Sequence, residues 1–264
     1  MAKKKRTGRP RSGCQRVVIQ SVEPEIDAGR YPIKRCVGER VQVSADLFAD
    51  GHDLLAGMLL YRHAAQQDWQ QAPLTDLGDD RWGADFGVEK LGRYLYTIRA
   101  WVDQFATWRD SLRKRVEAEQ DVRVDLQIGA KLIAAATRRA GGAARRRLLE
   151  LAKRVHAEDN EDNEDNEDDE DDEDVTSASR SARVETALSS ELRRLMAAHP
   201  NRRHETSYAR TLDVVVDRER ARWSTWYELF PRSCSCEAGA HGTFADVEAR
   251  LPHIARMGFD VVYL

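Results

Sequence analysis

The sequence predicts a multi-domain chain: an antiparallel β-sandwich, a helical insertion, and then a βαβ unit of a parallel sheet. Three observations carry this reading. Short apolar runs alternate with turn residues over residues 15–102, a helical period takes over near residue 107, and two apolar runs flank a capped helix within residues 221–264. The 264 residues, 41% of them hydrophobic, suffice for a real core in one large domain or two ordinary ones.

The sandwich is expected over residues 15–106. Its runs are "RVVIQSVEP", "ERVQVSADLF", "GMLLYRHA", "DRWGADFGV" and "GRYLYTIRAWV", separated by Gly, Pro or Asp. In the last run Tyr94, Tyr96, Ile98, Ala100 and Val102 share one face, while Leu95, Arg99 and Trp101 fall on a mixed opposite face.

Residues 107–204 read as helices. "TWRDSLRKRVEAEQDV", "DLQIGAKLIAAATRRA", "GGAARRRLLELAKRVHA" and "VETALSSELRRLMAAHP" are rich in Ala, Leu, Arg, Glu and Lys, with Gly141 and Gly142 marking a turn and Pro200 just past an end. An acidic stretch, "EDNEDNEDNEDDEDDED", interrupts them, and residues 157–175 are expected to be a disordered loop. Its acids make the formal charge of −3 an average over segments of opposite sign, so bulk charge says little about partners.

Residues 205–220 are expected to return to the sandwich through a strand at "LDVVV" and then form a linker. Beyond it, "TWYELF" is a short apolar strand, Thr243 caps a helix across "FADVEARLPHIARM", Gly258 ends that helix, and "FDVVYL" is a near-continuous apolar strand. A βαβ unit of this length belongs to a parallel sheet, and two strands with one helix do not close such a domain alone.

"DVVVDRERARWSTWYELFPRS" followed by "GTFADVEARLPHIARMGFDVVYL" resembles the opening of an α-amylase-superfamily catalytic barrel. The order of parts, from the sandwich ending in "FATWRDSLRKRVEAEQDV" through the inserted helices, is similar to the bacterial α-1,4-glucan:maltose-1-phosphate maltosyltransferase family. The resemblance implies an immunoglobulin-like sandwich and, over residues 221–264, a (β/α)8 barrel truncated at its second strand. It also implies a retaining glycosyltransferase that moves maltosyl units from maltose 1-phosphate to an α-1,4-glucan in glycogen-like polysaccharide synthesis. Such chemistry needs a carboxylate nucleophile beside a second carboxyl group. In the superfamily both lie beyond later strands, at the C-terminal face of the barrel. No catalytic residue is therefore carried over to this chain, and the chain alone is expected to be inactive. A homodimer, formed with help from the inserted helices, is expected. The alternative reading is a non-catalytic glucan-binding or dimerisation module.

The remaining signals have plain explanations. Glu228 and Asp260 are the acids of the two terminal strands and are expected to serve structure. Cys234, Cys236 and His241 lie close together, but one residue between the thiols is short of zinc-ligand spacing and a fourth ligand is missing, so no metal is expected. No cofactor is expected either. The four cysteines show no disulfide framework, which suits a reducing cytoplasm. "KKKRTGRPRSG" around Gly8, Arg9 and Pro10 is similar to a minor-groove hook, yet residues 1–14 are expected to be a disordered basic tail without nucleic-acid function. No run is long and apolar enough for a membrane span, so no membrane partner is expected. Trp69, Trp82, Trp101 and Trp108 could stack on sugar rings, though burial is the commoner fate of Trp in a small sandwich.

Overall fold

A computed structural model describes residues 16–156 and 171–264, with backbone alone for 171–178. The expected basic tail, its Gly8-Arg9-Pro10 peptide, and residues 157–170 of the acidic loop lie outside the described residues. The last residues assigned to that loop fall in a helix beginning at Asp171.

Eight strands come first: β1 (Val17–Glu23), β2 (Ile33–Cys36), β3 (Arg40–Ala49), β4 (Leu55–His63), β5 (Gln70–Pro73), β6 (Thr75–Asp76), β7 (Arg81–Gly87) and β8 (Gly92–Val102). Five helices follow: α1 (Gln104–Glu117), α2 (Arg123–Ala136), α3 (Gly142–His156), α4 (Asp171–Leu188) and α5 (Ser190–Ala198). Then come β9 (Thr206–Ser207), β10 (Leu212–Asp217), β11 (Trp226–Glu228), α6 (Phe244–Arg256) and β12 (Val261–Tyr263). The strands form a sheet of order β1-β3-β7-β6, a larger sheet of order β2-β10-β8-β4-β5 with β9 beside β8, and the separate pair β11-β12.

The described chain falls into two units. One comprises Gln20–Asp46, Met58–Ile98 and Tyr208–Leu264. Within it, strict alternation buries Val41, Val43 and Ala45 of β3 and Tyr94, Tyr96 and Ile98 of β8, as a half-buried strand requires. The two sheets meet at Phe86 of β7, which stacks on Tyr61 of β4 at 4.6 Å and lies 5.9 Å from Tyr96 of β8. The returning strand β10 is central: it runs parallel to β2, with Val214 opposite Ile33, and antiparallel to β8, with Val214 opposite Tyr94. Leu212, Val214 and Val216 are buried and the residues between them are not, so β10 supplies one face to this core. Tyr208 anchors the chain leading into β10, its hydroxyl donating to Glu25 at 2.5 Å.

The other unit is mostly helical and includes Leu47–Gly57 and Arg99–Ser207. Helix α1 begins at Gln104, three residues before the expected switch, because the Asp103 carboxylate accepts from the Ala106 amide and caps it there. Phe105, Trp108 and Leu112 of α1 pack with Leu126 and Ile133 of α2, Leu148 and Leu151 of α3, and Leu192 and Met196 of α5. The Trp108 indole donates to the Asp125 carbonyl at 2.7 Å, and Gly129 of α2 leaves the space that the ring fills. Arg147 of α3 makes a two-pronged contact with Glu191 of α5 at 2.6 and 2.8 Å. In this unit Trp101 is buried, as is the commoner fate of Trp in a sandwich, and Arg202 from the far end of the helical segment lies over its ring at 4.6 Å. Among the described residues no helix is long and apolar enough to cross a membrane.

Candidate functional site: the parallel strand pair and its loop

The segment whose sequence most resembles catalytic machinery forms a strand, loop, helix and strand. β11 and β12 run parallel, with Trp226 opposite Val261, Tyr227 opposite Val262 and Glu228 opposite Tyr263. Parallel neighbours need a crossover, and α6 provides it. Thr243 starts that helix through a reciprocal capping box with Asp246: the Asp246 carboxylate accepts from the Thr243 amide at 2.6 Å and from its hydroxyl at 2.8 Å. Those bonds hold the Asp246 carboxyl below its ordinary range. Gly258 follows the helix at φ +86°, a conformation that favours glycine.

The two acids of this segment have different surroundings. Asp260 sits at the N-terminal end of β12. Its Oδ2 accepts from both the amide and the hydroxyl of Thr225, each at 3.1 Å, and Arg220 stands 3.5 Å from its other oxygen. The Thr225 amide is the main reason that the Asp260 carboxyl is held below the usual carboxylate range. The group is an anionic clamp joining the entrances of the two strands. Thr225, its partner, carried no signal in the sequence beyond its place before an aromatic run. Glu228 lies at the opposite end of the pair and is exposed.

The loop after β11 begins with a 3-10 turn, Pro231–Cys234. Gly242 packs against it so closely that a β-carbon there would lie 2.2 Å from the Pro231 carbonyl oxygen, which only glycine tolerates. Cys234 is buried, with its thiol directed to the Phe230 carbonyl at 3.5 Å, whereas Cys236 and His241 are exposed. Among the described residues no three His, Cys, Asp or Glu side chains converge as a metal site would require. The segment exposes large apolar side chains instead: Trp223, Trp226, Phe230 and Phe244 are each more than half accessible.

The four tryptophans considered for sugar stacking are not presented as open platforms. Trp101 and Trp108 are buried, Arg62 covers Trp69 at 4.9 Å, and Trp82 is half-buried in β7.

Comparison with known proteins places these features in one lineage. The family profile described as "Alpha-1,4-glucan:maltose-1-phosphate maltosyltransferase, domain N/S" matches residues 15–218. The chain is 44% identical over 259 residues to the α-1,4-glucan:maltose-1-phosphate maltosyltransferase of Chlorobaculum tepidum, covering 98% of this chain and 36% of the relative. It is 41% identical over 256 residues to that of Myxococcus xanthus, covering 94% and 36%. For Streptomyces coelicolor the identity is 36% over 252 residues, covering 94% and 34%. The chain thus spans about 36% of the length of the first two relatives. It belongs to the α-1,4-glucan:maltose-1-phosphate maltosyltransferase family.

Proposed function

We propose that this chain forms the N-terminal part of a retaining maltosyltransferase, which moves maltosyl units from maltose 1-phosphate to an α-1,4-glucan in glycogen-like polysaccharide synthesis in the cytoplasm. In this reading the two stacked sheets are an immunoglobulin-like sandwich, α1 to α5 are an insertion in it, and β11-α6-β12 is the first βαβ unit of a (β/α)8 barrel.

The observation that carries the reading is the match over residues 15–218 joined to a parallel strand pair with its crossover helix. The exposed Trp226, Phe230 and Phe244 fit it, since parallel strands are normally covered on both faces. Within such a barrel Asp260 lies at the N-terminal end of its strand, where residues serve stability, and the loop 229–243 lies at the end where barrel enzymes work. Transfer with retention proceeds through a carboxylate nucleophile and an acid that turns base, so that phosphate leaves and a sugar hydroxyl of the glucan takes the maltosyl unit. None of these roles is assigned to a residue of this chain. The helical unit, with a core of its own, is the part we assign to homodimer contacts.

A chimera tests the proposal. These 264 residues replace the matching part of the Chlorobaculum tepidum relative, and phosphate release from maltose 1-phosphate is followed with maltohexaose as acceptor. Acceptor-dependent release supports the proposal; a folded chimera that releases none overturns it.

A further inference from the structure

We propose that the helical unit binds a compact phosphate-bearing small molecule in a recess between α1 and α5, which Arg109, Arg113 and Arg193 line together. The recess has a volume of about 270 Å³, just under the roughly 300–1,000 Å³ usual for ligand sites, and every residue lining it belongs to this unit. Three properties argue for an anion.

Its cations are brought together by helical spacing. Arg109 and Arg113 stand one turn apart on α1, and Arg193 comes from α5. Like charges one turn apart destabilise a helix unless something offsets them.

Its acids are already engaged. Asp110 is held by Arg113 and by Lys114, each at 2.7 Å. The Asp103 carboxylate caps α1, accepting from the Ala106 amide at 3.0 Å. Glu117, one turn beyond Arg113, stands 3.6 Å from it. Arg109 and Arg193 have no carboxylate partner among the described residues.

Its innermost cation is incompletely satisfied. Arg109 is half-buried, and its Nη2 donates to the Leu188 carbonyl at 2.6 Å, whereas its Nε is buried with no hydrogen-bond partner among the described residues. Burial, and then the charges of Arg193 and Arg113, hold this guanidinium below the ordinary arginine range. A bound anion relieves both conditions, since charge-assisted bonds to guanidinium are among the strongest that a protein forms.

The same residues select the class of anion. A single carboxylate brings one charge and two oxygens, and Asp110 is an instance: it leaves Arg109 and Arg193 unpaired. A phosphoryl group carries about −1.5 to −2 charges near pH 7 and three terminal oxygens, enough to meet guanidinium forks from two helices. Asp103 and Asp110 at the same recess disfavour a long polyanion such as a nucleic acid, so the ligand is small. The buried Phe105 and the exposed Leu54 give an apolar wall for whatever the phosphoryl group is attached to. This inference does not depend on the proposed function.

The test titrates inorganic pyrophosphate, a compact phosphoryl probe, into the full 264-residue chain at fixed ionic strength and neutral pH, by calorimetry and by urea unfolding. One pyrophosphate should bind per chain, and the urea midpoint should rise with the logarithm of its concentration. Arg193→Gln should bind at least about tenfold more weakly. Without pyrophosphate its urea midpoint should equal or exceed the parent's, because an unpaired like charge has been removed. Arg146→Gln, an exposed arginine of α3 away from the recess, should bind as the parent does. Absence of saturable binding by the parent overturns the inference, as does binding that Arg193→Gln retains. Equal weakening in Arg146→Gln overturns it as well, by showing general attraction to a basic surface, and an Arg193→Gln chain less stable than the parent overturns the unpaired-charge argument on which the recess rests.

Discussion

Replacing Gly129 by alanine should destabilise the helical unit, although helix propensity alone predicts the opposite. A β-carbon at Gly129 would lie 1.9 Å from Cζ2, 2.4 Å from Cη2 and 2.5 Å from Cε2 of Trp108. Carbon atoms rest about 3.5–4.0 Å apart, so the indole must retreat by about 1.6 Å or more. Overpacking of this kind costs about 1–3 kcal/mol. Moving the ring also breaks its buried hydrogen bond to the Asp125 carbonyl, a loss of about 1–2 kcal/mol. Alanine returns about 1 kcal/mol through helix propensity. The balance is a destabilisation of about 1–4 kcal/mol, read as a urea midpoint lowered by about 1 M for a unit of this size. Gly141→Ala is the control, because no atom lies within 4 Å of a β-carbon there. In a Trp108→Phe background, where the colliding atoms are absent, Gly129→Ala should cost less. A Gly129→Ala chain as stable as the parent would refute the packing argument.

Three other outcomes follow from the geometry. Asp260, its carboxyl held low mainly by the Thr225 amide, contributes stability above the ordinary carboxylate value near pH ~4, and that contribution is lost as pH falls through the lower folded value. The protection factor of the Val261 amide, which donates to the Thr225 carbonyl, should therefore fall on acidification; in Asp260→Asn it should be lower at neutral pH and lack that acid step, and an unchanged profile would count against the clamp. The Tyr208 hydroxyl is pushed up to about 12, first by burial and then by its hydrogen bond to Glu25, so the folded state binds the proton more tightly than the unfolded chain. Stability should fall between about pH 10 and 12, and Tyr208→Phe should flatten that fall in alkaline urea titrations, whereas an identical fall in the variant would remove Tyr208 as its source. Deleting residues 221–264 should raise solubility, since each large apolar side chain that cannot be buried forgoes about 1.5–3 kcal/mol and the open strand edges invite association; sedimentation showing more aggregate in the shortened chain would contradict this.

Local pattern and distant partnership divide what the sequence made legible. The alternation of Tyr94, Tyr96 and Ile98 names the core face of β8 because side-chain direction in a strand has a period of two. Thr243 and Gly258 mark the ends of α6 because capping is decided within a few residues. Arg202, about a hundred residues later, lies over the Trp101 ring, and no periodicity reports such a contact. Nothing in the sequence around Gly129 marks the Trp108 ring that lies against it. Asp260 was expected to serve structure because the resembled family keeps its catalytic carboxylates beyond later strands, but its partner Thr225, 35 residues earlier, was not legible.

The most direct test of the central claim is the product formed by the chimera from maltose 1-phosphate and maltohexaose, resolved by chromatography and by the anomeric proton signals of the new linkage. The account predicts one phosphate released for each glucan lengthened by a maltosyl unit, with the anomeric configuration of the donor retained, and no such product from residues 1–264 alone. Lengthened glucan made by the 264-residue chain at a rate proportional to its concentration, or an inverted linkage from the chimera, would contradict it.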